Sequence, residues 1–274
     1  MGGNGSVSGF RDAVNTEAVE RRMRNREEMR MIRQDGGIYR HEFKYLCTQA
    51  QAVMLRVRLQ GLMAPDAHAG ANGKYRVKSL YFDDVDDCCF YENEDGTAPR
   101  EKYRIRIYND SCTHIALECK HKEGDRIRKE SCLLGQAQCE ALAFGKGNVS
   151  MVELPVPAKR LLVLQKSRGM KPKVIVSYER TPYVYPNGNV RVTFDEGIAC
   201  GGRVEEFFRP EGARRQILPV GMQLLEVKYD EYLPDPIYHA LSMADMPRVT
   251  FSKYYLCRRY HMYSHIMPIV KVQK

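Results

Sequence analysis

Apolar and charged residues alternate with a period of two over one segment after another of this chain. The clearest stretch runs from Arg100 to Lys129 and reads as two β-strands around a turn at Asn109-Asp110-Ser111. The first strand sets Arg100, Lys102, Arg104 and Arg106 at alternate positions, with Tyr103, Ile105 and Ile107 between them. The second sets Glu118, Lys120 and Lys122 on one parity and Ile115, Leu117 and Cys119 on the other. Strand side chains alternate faces, so each strand carries one apolar and one cationic face. A solvated sheet face is the plain reading of such a surface. Same-sign crowding without local carboxylates adds a second reading, because neighbouring Arg and Lys repel unless an anion sits among them. Arg forks bind phosphate oxygens bidentately and Lys supplies point charges, so the anion would be phosphate-rich.

The same period predicts further strands. Tyr39–Tyr45 places Glu42 and Lys44 on one face and Phe43 and Tyr45 on the other, and Tyr75–Asp83 follows as the next strand. Past the central pair, a turn at Gly124-Asp125 leads back into Arg126–Cys132, which carries Arg126, Arg128 and Lys129. Lys173–Arg180 and Val190–Asp195 are joined across Pro182–Gly188, and Gln223–Tyr229 sets Glu226 and Lys228 opposite Leu225, Val227 and Tyr229. Helical signals fall between them. Thr48 is an N-cap for a helix through about Leu62, Gly135–Phe144 and Pro157–Gly169 give two more, and Pro234-Asp235-Pro236 opens a short one. The acidic run Asp83, Asp84, Asp86 and Asp87 reads as a solvated helix start rather than a cation site. About eight strands with several helices make an α+β fold. An open sheet would solvate the charged faces, whereas a closed one would turn them inward around a lumen.

Composition narrows the partner. The chain has 274 residues, room for one large domain, with 43 Lys+Arg against 34 Asp+Glu and a formal net charge of +9, which favours an anionic partner. No apolar run approaches the roughly 20 residues of a membrane helix, and no secretory signal opens the chain. Nine Cys without a C-x-x-C pair indicate neither a disulfide framework nor a zinc ribbon, so a reducing, cytoplasmic setting is expected. Residues 1–38 form an extension, with a marginal amphipathic helix at Asn15–Arg33 and an opening that fits a loose myristoylation pattern. Residues 263–274 form a tail, leaving 39–262 as the folded domain.

R-H-E-F-K-Y, S-L-Y-F-D, K-Y-R-I-R-I-Y, L-E-C-K, S-Y-E-R, V-R-V-T-F-D, L-L-E-V-K-Y and F-S-K-Y occur in this order along the chain. Together they resemble the catalytic domain of the vacuolar transporter chaperone family, polyphosphate polymerases among the CYTH-type triphosphate tunnel metalloenzymes. The resemblance implies an eight-stranded antiparallel β-barrel tunnel flanked by helices, with nucleotide phosphates bound inside. It implies catalytic roles for Arg104, Arg106, Lys120, Arg191 and Lys228. It implies substrate binding by Lys44, Lys102, Lys129 (or Arg128), Arg180, Ser252 and Lys253. Glu226 would hold a divalent metal, Mn²⁺ or Mg²⁺, with Glu118 assisting it or pairing with a lysine.

The activity so implied is transfer of the γ-phosphoryl of ATP to a growing inorganic polyphosphate chain. Two rival readings are a tunnel phosphohydrolase and a non-catalytic polyphosphate-binding subunit, and nucleic acid is not an expected partner. The chain departs from the family pattern at the acidic Tyr91-Glu92-Asn93-Glu94 and at Pro182. The inositol-phosphate-sensing domain and membrane helices of eukaryotic relatives are missing from it, so export would need a separate membrane partner.

Overall fold

The computed structural model describes residues 40–263, apart from Asp125, Glu211 and residues 243–245. The N-terminal extension, its Asn15–Arg33 helix and the C-terminal tail past Tyr263 lie outside the described residues. The described chain runs β1 (Arg40–Thr48), α1 (Gln49–Gln60), β2 (Ala64–Pro65), β3 (Tyr75–Asp83), α2 (Cys88–Glu94), β4 (Arg100–Tyr108) and β5 (Ser111–Glu123). It continues through β6 (Arg126–Leu134), α3 (Gln136–Phe144), α4 (Val156–Arg168), β7 (Lys171–Tyr185) and β8 (Val190–Gly201). It ends with β9 (Arg214–Gln216), β10 (Met222–Tyr229), α5 (Asp235–Ser242) and α6 (Lys253–Tyr263).

All pairings are antiparallel, and the order β7-β3-β4-β5-β6-β1-β10-β8 returns to β7 through a direct β7–β8 ladder. Eight strands thus close into a barrel, with the short β2 and β9 appended outside the ring. Closure removes the unpaired edges that an open sheet of this length would present. It also fixes which face is inside, because cross-strand partners share a face: Ser79 sits opposite Arg106 and Val176, and Glu226 opposite Lys44 and Thr193.

The apolar outer faces are covered by helices. Leu80, Phe82, Ile105, Ile107 and Leu117 pack under Cys139 and Leu142 of α3 and Ala158, Leu161 and Leu164 of α4. On the other side Val192, Phe194, Leu225 and Val227 pack under Leu55 and Leu59 of α1 and Ile237 of α5. The N-cap predicted at Thr48 forms, as a capping box: its side chain accepts from the Gln51 amide while the Gln51 side chain accepts from the Thr48 amide. Gly169 ends α4 at φ +62 in the left-handed region, where a Cβ would also meet Val85 Cγ1 at 2.7 Å.

A third apolar cluster lies inside the ring. Val174 and Val176 of β7, Cys200 of β8 and Leu224 of β10 pack with Phe251, Tyr254 and Cys257 around α6. The last helix therefore fills part of the barrel interior, and the polar lumen occupies the remainder.

The predicted strands all form, with different ends. β7 runs through Thr181 and Pro182, where the Asp66 amide donates to the Pro182 carbonyl, and β8 continues past Asp195 to Gly201. Thr250–Tyr255, read from sequence only as a motif after a loop, proves to be the entry to α6.

Candidate active site: a cationic cavity inside the barrel

A cavity of about 510 Å³ opens into the lumen, and twelve of the side chains lining it are Lys or Arg against two carboxylates. Period-two alternation delivers them. Lys102, Arg104 and Arg106 project inward from β4 because Tyr103, Ile105 and Ile107 face the outer helices. The register then stacks like charges: Lys102 sits opposite Lys120, Lys120 opposite Lys129, and Arg100 opposite Lys122. A rung of three lysines across β4, β5 and β6 is unfavourable unless something anionic lies against it.

The cations were expected to lack nearby carboxylates, and that holds along β4 but not along β1, β5 or β10, where Glu42, Glu118 and Glu226 share a face with Lys44, Lys120 and Lys228. Folding brings carboxylates from elsewhere in the chain. Glu42 of β1 accepts from Lys120 Nζ of β5 at 2.8 and 3.0 Å and lies 3.1 Å from Lys44 and 3.2 Å from Lys228. Glu118 accepts from Arg104 Nε at 2.7 Å and Lys129 Nζ at 3.0 Å, with Arg106 at 3.7 Å. Glu226 lies 2.9 Å from Lys228, 3.6 Å from Arg180 and 3.8 Å from Lys253. Asp195 takes both Arg180 Nε and Nη2, at 2.7 and 2.8 Å, and Lys253 Nζ at 2.7 Å.

These groups set one another's charge. Burial pulls Glu42 and Glu226 toward the neutral form, but the surrounding lysines outweigh it and hold both carboxyls well below the usual range. Glu118 is held ionised in the same way by Arg104, Arg106 and Lys129. Burial pushes Lys102 and Lys120 down to about 7, in Lys120 despite the attraction of Glu42. Lys102 is held by neutral groups: Asn93 Oδ1 at 3.0 Å, Ser252 Oγ at 3.4 Å and the face of Tyr254 at 5.0 Å.

One wall comes from the segment before α6. Lys44 Nζ donates to the Phe251 carbonyl at 2.7 Å, the Val249 amide donates to the Lys44 carbonyl, and Ser252 Oγ accepts from the Tyr255 amide at 3.3 Å as the helix N-cap. Lys253 is the first helical residue, so the positive end of α6 faces the cavity. Its neighbour Tyr254 donates its hydroxyl to Asp83, which also accepts the Cys89 and Phe90 amides. Asp84 pairs with Arg168, and Asp87 with Arg258 and Lys173. Asp83, Asp84 and Asp87 thus brace α2, α4, β7 and α6, with Asp83 and Asp84 buried, where a solvated helix start was expected.

Most of the predicted site residues meet in this cavity. Lys44, Lys102, Arg104, Arg106, Lys120, Lys129, Arg180, Glu226, Lys228, Ser252 and Lys253 all line it. Two differ in placement. Arg191 faces inward from β8 but reaches away, to the Tyr75 hydroxyl at 2.9 Å and Asp66 at 2.8 Å. Glu118 stands behind Arg104 and Arg106, enclosed by cations, as an ion-pair partner. Between the two candidates on β6, Lys129 points inward while Arg128 faces out beside Glu130. Sequence reading missed Glu42, although it shares a strand face with Lys44, because its three lysine partners belong to three strands.

A hard divalent cation with substrate phosphates takes one or two carboxylates and keeps its other positions for phosphate and water oxygens. Glu226 and Glu42 fit that donor set, since both are ionised, stand on the cavity wall and have side chains only 6% and 3% exposed. Glu118 does not, because it stands behind Arg104 and Arg106 and does not line the cavity.

Residues 39–261 match the family model described as the VTC domain. No curated protein sequence matches the chain. Among solved structures, a putative adenylate cyclase from Bacillus halodurans is similar at 14% identity and TM-score 0.46, over 80% of this chain and 96% of that one. A putative adenylyl cyclase from Hippeastrum, described as having a dominant triphosphatase activity, is similar at 11% identity and TM-score 0.47, over 80% and 94%. The Mimivirus capping enzyme triphosphatase is similar at 8% identity and TM-score 0.35, over 79% and 91%.

Proposed function

The chain belongs to the VTC domain family, and from that premise we propose that it is a polyphosphate polymerase that moves the γ-phosphoryl of ATP onto an inorganic polyphosphate chain. The observation that carries this reading is the lysine rung of Lys102, Lys120 and Lys129 beside Arg104 and Arg106, in a closed lumen that also holds ionised carboxylates. A linear phosphate chain is a row of negative charges, and laid along these cations it relieves their mutual repulsion.

A terminal phosphate oxygen of the acceptor chain attacks the γ-phosphorus, the bond from that phosphorus to the β–γ bridging oxygen breaks, and ADP leaves with that oxygen. The protein's share is positioning and charge stabilisation. Arg104 and Arg106 present guanidinium forks to phosphate oxygens, and Lys44, Lys120, Lys228 and Lys253 supply fixed positive charge along the path. A divalent ion held by Glu226 and Glu42, Mn²⁺ or Mg²⁺, would supply charge neutralisation at the phosphate oxygens. Arg191, tied to Asp66, orients the far end of the lumen rather than the reacting phosphorus.

The test is to incubate the purified chain with ATP and Mn²⁺ and resolve the products on a gel. ADP with a lengthening polyphosphate ladder is expected. Orthophosphate as the sole phosphate product would make the chain a phosphohydrolase, and polyphosphate retention without ATP turnover would make it a binding subunit. No described helix is long and apolar enough to cross a membrane.

A further inference from the structure

The outward faces of β4 and β5 carry a second set of functional groups at the positions between the lumen lysines. Glu101 and His121 are cross-strand partners, and Tyr103 pairs with Cys119 beside them. Glu101, Cys119 and His121 are 7%, 1% and 5% exposed, and each offers one ligand atom within 4.8 Å of the other two. We propose that Glu101, Cys119 and His121 form a zinc site on the outside of the barrel, separate from the phosphate lumen.

Three features of the cluster support it. First, His121 Nδ1 lies 2.7 Å from Glu101 Oε1 and Nε2 lies 3.2 Å from Glu130 Oε1, yet neither nitrogen has a hydrogen bond of acceptable geometry. A buried imidazole with both nitrogens crowded by carboxylate oxygens but bonded to neither is placed for coordination. Second, the outer partners of a metal-bound histidine are in place. Glu130 Oε1 lies 3.2 Å from the far ring nitrogen, where a small turn of the imidazole onto a metal would let that N–H donate to it, and Glu130 is itself held by Arg160 at 2.7 Å and Arg128 at 3.3 Å. Tyr103 lies directly across the strand pair from Cys119. Third, the mixed sulfur, imidazole and carboxylate set suits Zn²⁺ and is a poor match for Mg²⁺ or Mn²⁺, which favour oxygen donors.

Coordination forms bonds from Zn²⁺ to the Cys119 sulfur, an imidazole nitrogen and a Glu101 oxygen, and the thiol proton leaves to solvent. The thiolate and carboxylate balance the ion's charge, and water completes a tetrahedron. Such a clamp ties β4 to β5 where their inner faces present Lys102 and Lys120 to the cavity.

The full chain, dialysed free of metal, would be titrated with Co²⁺ as a spectroscopic probe and then with Zn²⁺, with bound metal counted by mass spectrometry. One ion per chain is expected, with a thiolate-to-cobalt absorption band that Zn²⁺ displaces. Cys119→Ala should abolish that band, and His121→Ala, which removes a ligand, should weaken binding by more than the about 10- to 100-fold that loss of an outer partner costs. Cys139→Ala, on the buried face of α3, should retain both and serves as a folding control. Should a ligand variant fail to fold, the wild-type titration alone decides. A folded chain that takes up no ion, leaving His121 as an ion-paired imidazolium between Glu101 and Glu130, overturns the site. A thiolate-to-cobalt band that survives Cys119→Ala overturns it too.

Discussion

Lys102 shows how a single position can report on the lumen. Its ammonium is held by Asn93, Ser252 and the Tyr254 ring, and burial pushes it down to about 7, as it does Lys120. The two consequences have opposite signs. In the unfolded chain these lysines stay protonated to about 10.4, so between pH 7 and about 10 the unfolded state binds more protons. Stability of the unliganded fold should therefore rise with pH across that window. A bound phosphate chain holds both lysines charged, so its affinity should fall as pH climbs from 7 to 9, by up to about tenfold per pH unit for each lysine. Calorimetric titration of polyphosphate in metal-free buffer, with melting curves of the empty protein over the same range, checks both signs.

Arg104 gives a second residue-scale prediction. Its guanidinium is placed by Glu118 and the Tyr81 hydroxyl, at 2.7 and 2.8 Å. Arg104→Ala should lower kcat/KM for ATP by roughly five- to 150-fold, from about 1–3 kcal/mol of charge-assisted phosphate contact. Arg203→Ala, with an 80% exposed side chain, should leave steady-state rates unchanged. At this scale the sequence was informative wherever a residue's role follows from its own strand, as for Lys44, Arg104 and Lys228. It was silent on Glu42, whose ammonium partners lie on β1, β5 and β10, and on the reach of Arg191 to Asp66, which requires a loop position that no periodicity encodes.

Among the elements, α6 is the one whose role could not be foreseen. Its brace joins Asp83 to Tyr254 across 171 residues, and four carboxylates in a row read as solvated when their arginine and amide partners are unknown. The strands were legible because period two survives whatever they pair with, and the caps at Thr48 and Gly169 were legible because they are local chemistry. Tyr254→Phe leaves Asp83 with amide donors alone and unlatches Lys253 from the wall. A loss of about 1–3 kcal/mol in stability is expected, together with a raised KM for ATP. Thermal melts and steady-state kinetics read the two separately. A lower melting temperature with an unchanged KM would mean that Lys253 keeps its place through Asp195 alone.

For the molecule as a whole, closure converts eight individually ordinary strands into a container for positive charge. Binding energy and fold stability are consequently linked. Polyphosphate at about 100 times its dissociation constant should add about 2.7 kcal/mol, a melting-temperature rise on the order of 5–10 °C for a domain of this size. The rise should shrink with added salt, because the attraction is screened over about 10 Å at 0.1 M. A salt-independent shift would place the ligand outside the lumen. From sequence alone the open and closed sheets were equally compatible with alternation, since the β7–β8 ladder that decides between them is a pairing and not a composition.

The ring closes late in the life of the polypeptide. β1 is made first among the described strands, but its Lys44 contacts Phe251 and its whole length pairs with β10, some 180 residues downstream. At about 5–20 residues per second, a ribosome needs on the order of 10–40 seconds to deliver that partner. Until then β1 has its charged face turned to no lumen and its apolar face covered by neither β10 nor α5. Nascent chains stalled before Lys253 should accordingly hold no phosphate, however complete their central hairpin.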